Sequence, residues 1–372
     1  GDALVKIGII IVILCFVWVH PAAALGVGVT VGGCAKLAGH LWGMRDKLNK
    51  LRPVYPRLGS PAMRKFLLLI APLLVGILFA KARDLINNII ILNNVRTEGL
   101  MAANSFGSKL AKAARDFVPY AVSIAMFPYF CDLIDRDDRK ALGDFLSSSS
   151  RMLMLFFFPL AAGGAVLSYP LVSLIFEHGK FSLTDWTATA NVCYILMLPF
   201  VSLETFYMQG FFADRRTVAP IVIGIGCSML SMIISFCVVI LFKVDVRYGP
   251  MYALVAVATG FAVSRALKVF ILVLFLKHSV PLFRDGTLRI FLVKLFIVTT
   301  LTAAAAWGAK EGFETVFGPI WSGKRMILAL QIGAASCAGG IVFLCAVWVL
   351  RVKEFQSAVQ WTLSRFKNHK GT

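Results

Sequence analysis

Lys81, Arg83, Asp84, Asn87 and Asn88 crowd into residues 72–88, inside an apolar run over residues 66–92 that is long enough to cross a bilayer as a helix. Charges at bilayer depth cost about 2.5–3.5 kcal/mol each on insertion scales, and they persist where they face a bundle interior or a water-filled cavity. Lys81, Asp84 and Asn88 are spaced i, i+3 and i+7, so they share one helix face while Leu, Ile, Val and Phe fill the others. The pattern is that of a membrane helix with one wet, charged side.

A second charged run follows at once. Residues 105–130 carry Lys109, Lys112, Arg115 and Asp116 in their first half, and Lys109, Lys112 and Asp116 fall on one face. Two adjacent helices with basic inner faces point to a cavity that holds an anion. The alternative is that Lys81 pairs with Asp84 and that the Lys109 end is interfacial, its side chains snorkelling to water. Arg265 and Lys268 lie one turn apart inside another apolar run, and Arg265 is the better candidate for the same cavity. Lys294 lies close enough to the end of its run for snorkelling to suffice.

Other chemistries are poorly represented. Asp135, Arg136, Asp137 and Asp138 contain the acids of a metal-dependent transferase, but Arg136, Arg139 and Lys140 interleave with them, which favours a solvated loop whose acids start the next helix. The eight Cys form no CxxC and the five His are scattered. Neither a disulfide framework nor a metal site is expected. With no Gly-rich phosphate loop and no Ser/His/Asp set, the chain reads as a non-enzyme without a cofactor.

The elements that must position these residues are membrane helices. The 372 residues are 59% hydrophobic with a mean hydropathy of +0.80, the composition of an all-α polytopic membrane protein. The formal charge of +19 lies mostly between apolar runs, so nucleic acid is not the expected partner. About ten spans are expected, over residues 3–19, 22–42, 66–92, 105–130, 150–168, 184–212, 218–242, 251–276, 288–309 and 326–350. Gly26, Gly28, Gly32 and Gly33 permit close packing of the second. Residues 170–180 form a short re-entrant or interfacial piece, after which Ser182 caps a new helix and Asp185 completes a capping box. Lys and Arg concentrate in alternate connections, among them Arg45, Lys47, Arg136, Arg139, Arg215, Arg216, Lys277 and Arg284, and in the tail. Those connections are expected to be cytoplasmic, and the C-terminus with them. The chain opens Gly-Asp-Ala, and is expected to lack its native N-terminus.

Several stretches, in order, resemble the MurJ/MviN lipid II flippase family of the multidrug and oligosaccharidyl-lipid exporter superfamily. Pro21 to Leu25, Gly32, Gly33, Leu41 and the basic Arg45-Asp46-Lys47 resemble its sixth helix and exit. Residues 72–87 resemble the start of its second lobe, and Phe127-Pro128 the Leu-Pro that ends its eighth helix. Glu177, His178, Gly179, Lys180 and Phe181 resemble its aromatic–Gly–Phe turn. Phe211 to Pro220 resembles its aromatic–Asp–Thr-Pro connection, with one extra residue before the proline. Val352, Lys353, Glu354 and Phe355 resemble its end.

The resemblance implies the fifth to fourteenth helices of a fourteen-helix, two-lobed flippase. Residues 1–60 would be the last two helices of the first lobe with a cytoplasmic loop, 61–278 a six-helix second lobe, 279–351 two helices forming a lipid-tail groove, and 352–372 a basic cytoplasmic tail. Lys109 would match the family's basic cavity residue, a Lys where Arg is usual. The implied activity is flipping an undecaprenyl-diphosphate-linked peptidoglycan precursor, lipid II, across the bacterial cytoplasmic membrane. The cavity residues would be Lys81, Arg83, Asp84, Asn87, Lys109, Lys112, Arg115 and Arg265, and the partners the lipid-linked glycan and membrane lipids. Three alternatives remain: an exporter of another lipid-linked oligosaccharide or small molecule, a membrane enzyme acting on polyprenyl phosphates, and an inactive truncated remnant.

Overall fold

The computed structural model describes residues 2–16, 21–45, 60–92, 94–95, 97–117, 119–178, 181–214, 216–283, 286–317, 324–352 and 354–356. Most of the basic loop, with Arg96, Lys180, Arg215, Arg284, Lys353 and the tail, lies outside them. The described residues are helical almost throughout, and the chain divides into two compact units, residues 1–67 and 68–372.

In the first unit α1 (Asp2–Phe16) packs along α2 (Pro21–Gly43). A Cβ on Gly32 would lie 2.6 Å from the Val5 carbonyl oxygen, and one on Gly8 2.6 Å from the Gly32 Cα. Gly28 similarly meets Ile9, whereas Gly26 and Gly33 face open space. Two of the four expected small residues therefore make the close approach.

α3 (Pro61–Leu85) leads into the second unit and continues as π-helical turns over Ile86–Leu92. The helix expected over residues 105–130 is instead two, α4 (Leu100–Phe117) and α5 (Pro119–Asp135). Pro119 has no N–H to continue the ladder and disfavours the helical conformation in the residue before it. α6 (Arg139–Val166) starts eleven residues earlier than expected, with the Asp138 carboxylate accepting the Ala141 N–H at 2.9 Å. The run of acids thus supplies the helix cap. α7 (Ser168–Phe176) fills the interfacial piece.

α8 (Thr184–Leu196) and α9 (Leu198–Ala213) meet at a 41° bend, where Pro199 interrupts the expected single span. Leu183, not Ser182, is the N-cap of α8, and no side chain caps it. The expected capping box is therefore absent: Leu183 is anchored against Gly99, and this apolar contact sets the start one residue beyond Ser182. α10 (Val218–Phe236) ends in a second π segment (Cys237–Leu241), and the short α11 (Val244–Tyr248) leads to α12 (Pro250–Ser279). α13 (Leu288–Phe317) and α14 (Lys324–Val349) form an antiparallel pair. Lys294 does more than snorkel: its Nζ donates to the Leu350 carbonyl at 2.7 Å, closing the end of α14.

Three apolar cores organise this unit. One, around Phe130, Leu146, Phe206, Tyr207 and Leu272, joins α5, α6, α9 and α12. A second, around Leu92, Leu100, Tyr194, Leu254 and Val257, joins the first π segment, α4, α8 and α12. The third, around Leu155, Phe291, Val298 and Val347, seats α13 and α14 on α6. Among the described residues seven helices are long and apolar enough to cross a membrane, or eight with α8 and α9 taken as one broken span. α1, with 15 residues, is shorter, and neither half of the α4–α5 pair qualifies alone. The chain is an all-α polytopic membrane protein.

Candidate functional site

The charged residues of the membrane helices separate into a buried cluster and an exposed set. Glu204, on α9 and 5% exposed, is the hub of the cluster. Its carboxylate accepts from Arg265 Nη1 at 2.7 and 2.8 Å and from Lys268 Nζ at 2.6 Å, both on α12. Lys268 reaches it by crossing Gly224 of α10, where a Cβ would lie 2.9 Å from the amine. A buried acid between two cations thus ties α9, α10 and α12 together, with Arg265 and Lys268 on one face because they are three apart on a helix.

Arg83, buried at 4% exposure, lies beside this cluster. Its guanidinium carbon is 4.3 Å from the centroid of the Phe261 ring, and that of Arg265 is 4.8 Å from the same centroid. Arg83 also donates from Nη2 to Asp84 Oδ1 at 2.6 Å and from Nε at 3.1 Å. The neighbour that pairs with Asp84 is therefore Arg83, and Lys81 is exposed with no ion pair among the described residues. The i, i+3 geometry that would join Lys81 to Asp84 is not used: the Arg83 guanidinium, which lies against Phe261, takes the carboxylate instead.

Just beyond Asp84 the helix changes from α to π hydrogen bonding, a change that leaves a backbone carbonyl to be satisfied by other means. Asn88 Nδ2 donates back to the Asp84 carbonyl at 2.9 Å. Asn104 Nδ2 donates to Asn88 Oδ1 at 2.7 Å, and the Tyr194 hydroxyl donates to Asn104 Oδ1 at 2.9 Å. This chain of donors joins α3, α4 and α8 and fixes the segment that carries Arg83 and Asp84. Asn87 is buried, and its Oδ1 has no partner among the described residues.

On α4 the face that packs into the bundle is small and polar: Ala103, Asn104, Gly107 and Ala111. A Cβ on Gly107 would meet the Asn191 N and the Thr187 carbonyl oxygen at 2.8 Å, so α4 and α8 touch backbone to backbone. Lys109 and Lys112 lie on the exposed side, Lys109 Nζ standing 5.2 Å from the Phe106 ring centroid, and Arg115 is half-buried. The structure thus brings Arg83, Asp84 and Arg265 together and leaves Lys81, Lys109 and Lys112 on exposed helix surface.

Glu204 is the residue that reasoning from sequence overlooked. It is a lone acid inside the apolar run over residues 184–212, and the rule that singled out Lys81 applies to it equally. Lys268 was visible but ranked below Arg265, although it is the more buried of the two, its side chain 8% exposed against 21%. The acids at the start of α6 are in structural use: Asp137 pairs with Arg139, and Asp138 is the cap. Among the described residues no three His, Cys, Asp or Glu side chains are grouped to hold a metal ion.

Comparison with known proteins gives the cluster its context. The model of the family described as lipid II flippase MurJ matches residues 2–327. Lipid II flippase MurJ of Thermosipho africanus is 27% identical over 149 residues, 40% of this chain and 28% of that protein. The probable lipid II flippase MurJ of Haemophilus influenzae is 23% identical over 301 residues, 77% of this chain and 55% of that protein. The chain thus spans about half, or less, of the length of these relatives. A solved structure of lipid II flippase MurJ in an inward closed conformation superposes with a TM-score of 0.64 at 18% identity, covering 93% of this chain and 65% of that one, a likeness of fold. With the family model matching residues 2–327, the chain belongs to the lipid II flippase MurJ family.

Proposed function

We propose that this chain works as the C-terminal part of a flippase that carries lipid II, the undecaprenyl-diphosphate-linked peptidoglycan precursor, across the cytoplasmic membrane. The family match over residues 2–327 is the observation that carries this reading. The charge of the helices supports it. Lys81, Arg83, Lys109, Lys112, Arg115, Arg265 and Lys268 outnumber Asp84, Asp116 and Glu204 in helices otherwise rich in Leu, Ile, Val and Phe. A diphosphate cannot cross hydrocarbon unaided, and fixed cations on a water-lined surface lower the cost of its passage. Lys81, Lys109 and Lys112, exposed on their helices, would meet the headgroup, with Arg83, Asp84, Asn87, Arg115 and Arg265 as the remaining cavity residues. Residues 61–278 would form the lobe that rocks during alternating access, and residues 279–351 a groove that keeps the polyprenyl tail in lipid. The tail, from residue 352 on, would be cytoplasmic. Drug exporters for cationic substrates call for the opposite charge balance.

Complementation tests the reading. In a bacterium depleted of its own flippase, the full-length gene that encodes this chain should restore growth and the appearance of lipid II in the outer leaflet. Growth failure with the protein present in the membrane would contradict it.

A further inference from the structure

The buried cluster holds more positive than negative charge. Arg83, Arg265 and Lys268 face Asp84 and Glu204 across a few ångströms in the interior of the helix bundle. The two acids are held differently. The Glu204 side chain is 7% exposed and bonded to two cations, so it is a fixed counter-ion. The Asp84 side chain is 48% exposed and bonded to Arg83 alone. With Asp84 turned away, three cations would face one acid, a deficit of two negative charges.

The two guanidiniums have donors to spare. Arg265 spends only Nη1 on Glu204, and Arg83 only Nε and Nη2 on Asp84. Among the described residues, Arg265 Nε and Nη2 and Arg83 Nη1 have no acceptor. Both guanidiniums lie against the single Phe261 ring, 4.3 and 4.8 Å from its centroid, so cation–π attraction holds the two forks close to one another. Arg265 keeps its side chain 21% exposed, so with the half-exposed Asp84 it forms the open side of the cluster, while Glu204 and Lys268 close the other. Planar forks of this kind match the oxygens of a phosphoryl group in paired hydrogen bonds, which a point-charge ammonium does not.

We infer that Arg83 and Arg265, held on the Phe261 ring, form an oxyanion clamp whose resting occupant is the Asp84 carboxylate, and that a phosphoryl group displaces Asp84 to bind there. Glu204 and Lys268 are positioning residues: the acid anchors Arg265 by one nitrogen and leaves the rest of its fork available. The exchange needs no covalent bond to break; one anion replaces another, and the deficit left by Asp84 suits the two negative charges of a diphosphate. This inference rests on the flippase reading for the source of the ligand, a diphosphate lipid headgroup, while the chemistry is equally met by free pyrophosphate.

The test uses the full-length protein in nanodiscs with two probes, inorganic pyrophosphate and undecaprenyl diphosphate. Asp84→Asn keeps the shape of the side chain and removes the competing charge, so both probes should bind about tenfold tighter than to wild type. Arg265→Lys keeps the charge and loses the fork, so both should bind about tenfold weaker. Phe261→Leu, which keeps an apolar side chain without the ring, should weaken binding with the melting temperature little changed. Unaltered pyrophosphate affinity in folded Arg265→Lys, or weaker affinity in folded Asp84→Asn, overturns the clamp. If pyrophosphate shows the expected shifts while the lipid neither binds nor is flipped, the clamp stands and the flippase reading falls. If lipid II is flipped but neither variant alters affinity, the clamp falls and the flippase reading stands.

Discussion

Replacing Glu204 by Gln should be among the most damaging single substitutions in the second unit. The carboxylate accepts three hydrogen bonds, at 2.7, 2.8 and 2.6 Å, from two cations that have no other carboxylate partner among the described residues. Gln keeps the volume and removes the charge, leaving Arg265 and Lys268 facing each other uncompensated. Breaking a buried ion pair by removing one partner costs about 3–5 kcal/mol, which is roughly a thousandfold in the unfolding equilibrium constant. Glu204→Gln should therefore lose roughly that much stability in denaturant unfolding in bicelles. Lys268→Met should lose less, because Glu204 keeps Arg265. In the double variant one of the two uncompensated cations is gone, so the losses should be less than additive, with a coupling of about 0.5–3 kcal/mol. A Glu204→Gln protein within about 1 kcal/mol of wild type, or strictly additive losses, would refute the account of Glu204 as the hub.

Two further outcomes follow from packing and charge. Gly107→Ala should separate α4 from α8, because the new Cβ meets backbone atoms at 2.8 Å that cannot step aside as a side chain can; a cost of about 1–3 kcal/mol is expected, and an unchanged melting temperature would contradict the close contact. If the basic connections are cytoplasmic, a Cys placed at Leu48 or Asn368 should react with an impermeant thiol reagent only from the cytoplasmic side, and one at Glu98 only from outside; the reverse pattern would overturn the orientation.

The spans were legible because long apolar runs bounded by charge have few other solutions, and of the four glycines expected to permit close packing Gly28 and Gly32 make it while Gly26 and Gly33 do not. Breaks inside spans were harder to read. Pro119 and Pro199 end helices, whereas Pro72, Pro128 and Pro159 sit inside them, and tertiary packing decides which outcome each takes. Ser182 carried a sound capping signal, yet the helix starts after Leu183, whose side chain lies against Gly99. The site was legible residue by residue and not as a set. Lys81, Arg83 and Asp84 stood out by cost, but the choice of Arg83 over Lys81 as partner depends on Phe261, 177 positions or more away along the chain. Asn88 likewise stood out, but its partners Asn104 and Tyr194, on two other helices, carry no signal of their own.

The central claim is that cations on these helices serve the passage of an anionic lipid headgroup, and Lys109 tests it most directly. It is exposed in the structure and, on the family resemblance, would be the basic cavity residue. In the full-length protein, lipid II accessibility at the outer leaflet should fall to background in Lys109→Ala while the protein still inserts, and should be retained in Lys109→Arg. Wild-type flipping by Lys109→Ala would contradict the claim at this position and leave the charges of these helices a structural role.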